Sequence, residues 1–468
     1  MRTESAIHRL DLRVFALVGV ALLVLESVDF PIARAQTPPT ARVQTPPAAR
    51  PPAVPGATTV RILMPRNVEN VALRPVAFRA NEWIVALETQ RPVRETHDHS
   101  LHAVHRGSLG PAMQRMSVDA FGELVPWPGS PALAYLSVAN DDDASQHLVR
   151  PFGAAIASVG FHDVPAWTNN VGRLHIAWSN PTRPTGLAVR VGQDFGPCPP
   201  RPPRAPSPLD RFREVATTSG AEHCPRAWRA SAVWFDGTAA TERPLASETQ
   251  PMQHTVSAVR AIVTPQGFVG TYIVTPSPPG TAPTGPRFEL RGQAFDARGR
   301  PTWNATLAPP DTSSQVHSAV DGAGNIVFAT QGSDAGRASL VLFGWTPTGT
   351  PLPVRRVPHL EPMSVTDIAV AACASSVWVV SYELDLPRHE YTLRATRWDT
   401  AAGTVAPMQE IHRYAVPASH RVSASSRISQ AVSLRCDAGY VALAFDVLQG
   451  NESNGARSQM GFATWPDR

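Results

Sequence analysis

The chain has 468 residues, 43% hydrophobic and 17% charged, with 47 Pro, 31 Gly and 4 Cys. Its formal charge is only +4 and all 42 basic residues are Arg. They are scattered among acids without the one-faced basic stripe of a nucleic-acid binder, so no nucleic-acid partner is expected.

Arg2, Arg9 and Arg13 precede an apolar run from Val14 to Leu25, and Ala33-Arg34-Ala35 places small residues ahead of Gln36. That is the form of a secretory signal peptide over residues 1–35, removed from the mature protein. The run meets Glu26 and Asp29 before reaching the roughly 20 apolar residues that cross a bilayer, so no transmembrane segment is expected in the mature chain. An uncleaved anchor is the alternative. No Cys follows the run, which argues against a lipid-modified N-terminus. Residues 36–59 are dense in Pro and poor in large apolar side chains. Such a segment cannot bury enough surface to offset its ordering entropy, and it reads as an extended linker. The remainder, 60–468, is expected to be one β domain of a secreted or periplasmic protein.

Across residues 254–465 a pattern recurs: an apolar strand, a tight turn, a second apolar strand, a variable loop, and a third strand ending on an aromatic. The first two strands align as Ala261 to Val269, Ser318 to Val327, Ala371 to Trp378 and Leu434 to Val441, and the third strands end at Phe295, Trp345, Trp398 and Trp465. Three looser units precede them. One is Val76 to Gln90, with Trp83 to Leu87 as its second strand. Another pairs Ala132 to Val138 with Ala154 to Ala157. The third runs from Gly172 to Trp178, through an insertion bounded by Cys198 and Cys224, to Ser231 and on to Gly237. Seven units of about 58 residues, with strand periodicity throughout, predict an all-β fold, a β-propeller of seven blades, six or eight being the alternatives. The last unit stops after its third strand, while Thr59 to Met64 stands alone before the first. This N-terminal strand is therefore expected to close the ring and remove two open edges. At a regular period the repeated Trp and Phe read as packing between blades rather than as a sugar platform.

The turn Val320-Asp321-Gly322-Ala323-Gly324-Asn325-Ile326-Val327 resembles the Asp-x-x-Gly-Asn turn of NHL-type and related bacterial propeller repeats. One unit carries it; the others have Thr264, Cys373 or Cys436 in place of the Asp. The resemblance implies a bacterial secreted propeller and no particular activity, because that fold hosts unrelated functions.

Four Cys in an exported chain imply two disulfides, and their order suggests Cys198–Cys224 and Cys373–Cys436. The second pair falls at equivalent positions of neighbouring repeats and would tie them together. Buried free thiols are the alternative.

In a four-stranded blade the loops between strands two and three share one face with the loops between blades. Here they read Glu95 to His99, Asn140 to Asp143, the insertion from Cys198 to Cys224, Ser277 to Gly280, Gln331 to Asp334, Leu386 to His389 and Gly450 to Ser453. Variable loops on a rigid scaffold are where binding concentrates, so this face is the expected interaction surface. His97, His99, His102 and His105 form the best chemical cluster and are the candidate ligands for a divalent metal, with Asp141, Asp142 and Asp143 nearby in sequence. A solvated polar hairpin is the plainer reading of the same residues, and no other cofactor is expected. Neither a nucleophile elbow nor a phosphate loop is present. The residues point to a non-enzymatic binder of an extracellular or envelope protein or glycan. The alternative is a carbohydrate-active or metal-dependent enzyme, whose paired carboxylates would be hidden in blades far apart in sequence.

Overall fold

A computed structural model describes residues 54–63, 69–90, 97–105, 108–118, 122–126, 133–138, 147–151, 159–160, 171–178, 185–197, 223–236, 239–249, 254–276, 288–309, 311–313, 315–334, 337–358, 364–385, 388, 390–415, 432–448 and 459–467. The expected signal peptide and residues 36–53 of the expected linker lie outside the described residues. Among those residues no helix is long and apolar enough to cross a membrane, and all regular structure is strand, paired into seven antiparallel sheets.

Strand β1 (Thr58–Leu63) comes first. The first sheet is β2 (Glu69–Arg79), β3 (Glu82–Gln90), β4 (His97–His105) and β5 (Ser108–Leu109), with β6 (Gln114–Val118) also on β4. The second is β7 (Gly122–Pro126), β8 (Leu133–Val138), β9 (His147–Pro151) and β10 (Val159–Gly160). The third is β11 (Val171–Trp178), β12 (Thr185–Pro197), β13 (His223–Asp236) and β14 (Ala239–Thr249). The fourth is β15 (His254–Thr264), β16 (Gly267–Pro276), β17 (Glu289–Asp296) and β18 (Pro301–Leu307). The fifth is β19 (His317–Val320), β20 (Ile326–Asp334), β21 (Arg337–Trp345) and β22 (Pro351–Pro358). The sixth is β23 (Ser364–Ala372), β24 (Val377–Asp385), β25 (Glu390–Asp399) and β26 (Thr404–Val405), with β27 (Gln409–Ala415) also on β25. The seventh is β28 (Val432–Asp437), β29 (Tyr440–Leu448) and β30 (Gln459–Pro466), completed by β1. Successive antiparallel sheets of this kind are β-propeller architecture.

The pairing of β1 with β30 runs from Thr58↔Thr464 to Leu63↔Gln459. The folded body reaches back beyond the expected linker boundary at residue 59. Val54 is 4% exposed, and its amide donates to the Glu410 carbonyl at 3.1 Å. In the second sheet β8 pairs with β7 and β9; Ala154 to Ala157, its expected partner, lies outside the described residues.

Burial explains why the second strands read as unbroken apolar runs. In β16 and β24 every residue but the last one or two is buried, because each of these strands has a sheet on both faces. The outer strands β18 and β22 are mostly exposed and mix Arg, Thr and Pro into the same period.

Between the sheets lies the wedge of large aromatics. Phe295 packs with Leu187, Val189 and Trp228 of the third sheet. Trp345 packs with Phe288 and Leu290 of the fourth, Trp398 with Val327 and Leu340 of the fifth, and Trp465 with Trp378 and Val380 of the sixth. Each aromatic ends the third strand of its own sheet and fills the gap toward the preceding one. The expectation from their period is met: Trp345, Trp398 and Trp465 are each at most 1% exposed. Gly292 makes room for one of them, since a Cβ there would lie 2.8 Å from the Trp345 ring.

The turns between first and second strands are tight. Ala80 and Asn81 both have positive φ, as do Ala438 and Gly439, which is the two-residue hairpin geometry that follows strand twist. Asp321 builds its turn with its side chain: Oδ1 accepts the amides of Ala323 and Asn325 at 2.9 and 2.8 Å, and Oδ2 accepts Asn325 Nδ2 at 2.8 Å. The Thr400 hydroxyl, from the sixth sheet, also donates to Oδ2. Gly322 lets the sixth sheet approach here, because a Cβ would stand 2.1 Å from the Ala374 carbonyl oxygen.

The disulfide Cys373–Cys436 joins the sixth sheet to the seventh, with Cα atoms 5.3 Å apart. Cys198 lies outside the described residues; Cys224, in β13, is the register partner of Gly196.

Two stability tests follow from these contacts. Replacing both bridging cysteines, Cys373→Ser with Cys436→Ser, opens a cross-link of sequence separation 63, and denaturant unfolding should show a loss of about 4 kcal/mol. A loss under about 1 kcal/mol would mean that the unfolded chain already holds the two sheets together. Trp398→Ala should cost about 3–5 kcal/mol by the same measurement, whereas an exposed platform residue would cost a small fraction of that.

Candidate functional site

The two ends of the sheets differ in their connections. At one end the turns are short: Ala80-Asn81, Pro265-Gln266, Ala438-Gly439, and the segments 297–300, 321–325, 346–350, 373–376 and 400–403. At the other end the second and third strands are joined through residues 91–96, 139–146, 198–222, 277–288, 335–336, 386–389 and 449–458. Two expected loops there are strand instead. His97 to His99 begin β4 and Gln331 to Asp334 end β20, which turns into β21 through residues 335–336 alone. Asn140 to Asp143 lie outside the described residues.

All four candidate histidines fall in β4. On the backbone ladder His97 stands opposite Gln90 and Val118, and His99 opposite Glu88 and Met116; their side chains are outside the described part. His102 and His105 point to opposite faces of the strand, being an odd number of residues apart. The His102 ring is fully engaged. Its Nδ1 donates to the Gly110 carbonyl at 2.9 Å, which fixes the tautomer, and its Nε2 accepts from Ser100 Oγ at 2.8 Å. His105 Nδ1 is 2.6 Å from Glu82 Oε1 with its side chain 61% exposed. The structure thus gives these two histidines separate partners and does not bring them to one point.

Among the described residues the one group of three close ligand atoms is Cys373, Cys436 and Asp467. Its two sulfurs are bonded to each other, and Asp467 Oδ1 accepts Ser376 Oγ at 2.9 Å and Trp378 Nε1 at 2.8 Å. This cluster is structural.

The long-connection end also carries an aromatic stack between the sixth and seventh sheets. Tyr391 stacks on Tyr382 at 4.6 Å and on Tyr414 at 5.5 Å, with His412 and Phe445 beyond. The Tyr382 and Tyr414 hydroxyls both donate to the Asp446 carbonyl. Burial pushes the Tyr391 phenol up, and Tyr382, Tyr414 and Phe445 are themselves buried, so the stack is part of the core between these sheets.

The feature that sequence reading missed lies on the inner strands. A cavity of about 280 Å³ sits midway along β15, β19, β23 and β28, lined by Arg260, His317, Ser318, Ser433 and the aliphatic side chains around them. His317 Nε2 is 3.8 Å from Asp367 Oδ1. That carboxylate is held by the amides of Ile368 at 2.8 Å and Val432 at 3.1 Å. At that distance it does not offset burial, which is the main cause pushing His317 down to about 4, with the charge of Arg260 second. Near pH 7 the imidazole is therefore neutral. The cavity accordingly offers one guanidinium, one neutral imidazole and two hydroxyls. Among the described residues of its lining there is no carboxylate pair of the kind that glycoside hydrolysis uses. The register did hold a signal: Arg260 and His317 occupy the same position of their repeats, where the next two sheets have Ala369 and Ser433.

No protein-family model matches the sequence, and no curated protein matches it. Solved structures similar to the chain include the polysaccharide lyase Uly1, at 7% identity and TM-score 0.44 over 84% of this chain and 90% of that one. The WD40 domain of SCAP from fission yeast matches at 8% identity and TM-score 0.34 over 87% and 94% of the two chains. A eukaryotic initiation factor matches at 12% identity and TM-score 0.28 over 63% of this chain and 56% of that one, so the chain spans about half its length. At these identities they name neither an activity nor a ligand for this chain.

The state of His317 sets a pH dependence. In the unfolded chain it titrates near 6.5 and in the fold near 4. As pH falls below 6.5 the unfolded chain takes up a proton that the native fold refuses, so stability drops from about pH 6.5 toward pH 4 and levels off below. The full loss is on the order of 3 kcal/mol. His317→Gln should shrink the difference in unfolding free energy between about pH 7 and about pH 4.5. An unchanged difference would mean that the native imidazole is solvated and protonates normally.

Proposed function

We propose that this chain is an exported β-propeller that binds an extracellular or envelope protein or glycan through its long-connection end and performs no chemistry. The seven sheets are then the blades of one ring, and β1 and β30 close it. The observation that carries the reading is the asymmetry of the two ends. Connections of two to seven residues bound one end, whereas at the other they range from two residues, 335–336, to the segment 198–222 between β12 and β13. A rigid scaffold with its longest connections on one end is the usual construction of a binding surface. The form of residues 1–35 supports export. The enzymatic alternative asks for converging carboxylates or metal ligands, and the described cavity lining supplies neither.

The reading is tested by replacing residues 198–222 with a short turn in the mature protein. The thermal midpoint and circular dichroism should stay unchanged, while cross-linking to the cell envelope and retention on a glycan array should be lost. A shortened form that captures the same partner as the parent protein would remove this end from consideration.

A further inference from the structure

The inner-strand cavity is chemically selective in a way that the long-connection end is not, and it stands independently of the reading above. Arg260 brings its positive charge without a carboxylate partner: among the described residues its guanidinium makes one hydrogen bond, to the Val259 carbonyl at 3.4 Å. Ser318 and Ser433 line the same space, and their hydroxyls enter no hydrogen bond among the described residues. Besides the His317 imidazole, the rest of the described wall is aliphatic, with Ile262, Ile368, Val370, Val432 and Leu434. A lone cation facing a partly desolvated space is best satisfied by an anion with planar, bidentate geometry, because guanidinium and carboxylate match as two parallel hydrogen bonds. We propose that this cavity is a binding site for a small monocarboxylate with an aliphatic body, its carboxylate on Arg260 and its body against Ile262, Ile368 and Val370.

The surrounding charges set the selectivity. Asp367 is fixed beside the cavity by the Ile368 and Val432 amides, so a second negative charge on the ligand meets a carboxylate that cannot turn away. Dicarboxylates and phosphate are disfavoured by that repulsion, and an uncharged amide forfeits the pairing with Arg260. The size agrees with a ligand of modest length, since the space is about 280 Å³, near the lower limit of typical small-molecule pockets.

Calorimetric titration of the mature protein with valerate, valeramide, succinate and inorganic phosphate tests this directly. Valerate should bind saturably, and valeramide, succinate and phosphate at least about tenfold more weakly. Arg260→Gln should weaken valerate by about tenfold or more at an unchanged thermal midpoint. Should Arg260→Gln fail to fold, the valerate and valeramide comparison on the parent protein decides alone. Equal affinity for the acid and its amide, phosphate binding as tight as valerate, or no saturation with valerate up to about 10 mM would overturn the proposal. The variant with shortened residues 198–222 should titrate with valerate unchanged, so failure of this site and failure of the loop-end reading are separate results.

Discussion

Packing of a large aromatic into the gap between neighbouring sheets is the constraint on which the rest of this molecule depends. Phe295, Trp345, Trp398 and Trp465 each hold their sheet against the preceding one from the third strand. Cohesion is shared between these aromatics and apolar first-strand residues such as Ile262, Ile368 and Val432. Other first-strand positions carry Arg260, His317 and Asp367, residues that a conventional β-sandwich would place at its surface.

The sixth sheet is the exception to an apolar interface. Ser381 and Arg394 are direct cross-strand partners and Glu383 is the diagonal neighbour, with Glu383 and Arg394 both fully buried and 3.1 Å apart. Ser381 Oγ also donates to Glu383 Oε1 at 2.6 Å. Such a pair adds little net stability over an apolar replacement, but half of it alone is costly, so it resists any sliding of β24 past β25. The disulfide leaves from the same sheet, through Cys373 to the seventh. Register within the sixth sheet and attachment to its neighbour are thus both fixed by polar or covalent devices.

What the sequence made legible is what repeats. The aromatics at the third-strand ends, the tight first turns and the Cys373–Cys436 bridge all sit at equivalent repeat positions, and periodicity exposes them without knowledge of the fold. At one expected loop local composition gave way to strand pairing. Gln331-Gly332-Ser333-Asp334 has the composition of a turn yet forms the end of β20, because β21 supplies its hydrogen bonds. His102 and His105 look like one cluster in the chain, yet the pleat and the partners Gly110 and Glu82 set them apart. The cavity was not read because its residues are scattered through four units, and each alone resembles an ordinary polar residue of a strand. Only the meeting of four first strands turns Arg260 and His317 into neighbours.

The seventh sheet is assembled from the two far ends of the described chain: six residues of β1 lie against six of β30. During synthesis β1 emerges hundreds of residues ahead of its partner, and throughout that interval its hydrogen-bonding groups must be kept from other chains. A polypeptide interrupted anywhere between the two leaves both strands with open edges, the form in which β chains join one another. Until β30 has arrived, β1 has no partner in the seventh sheet.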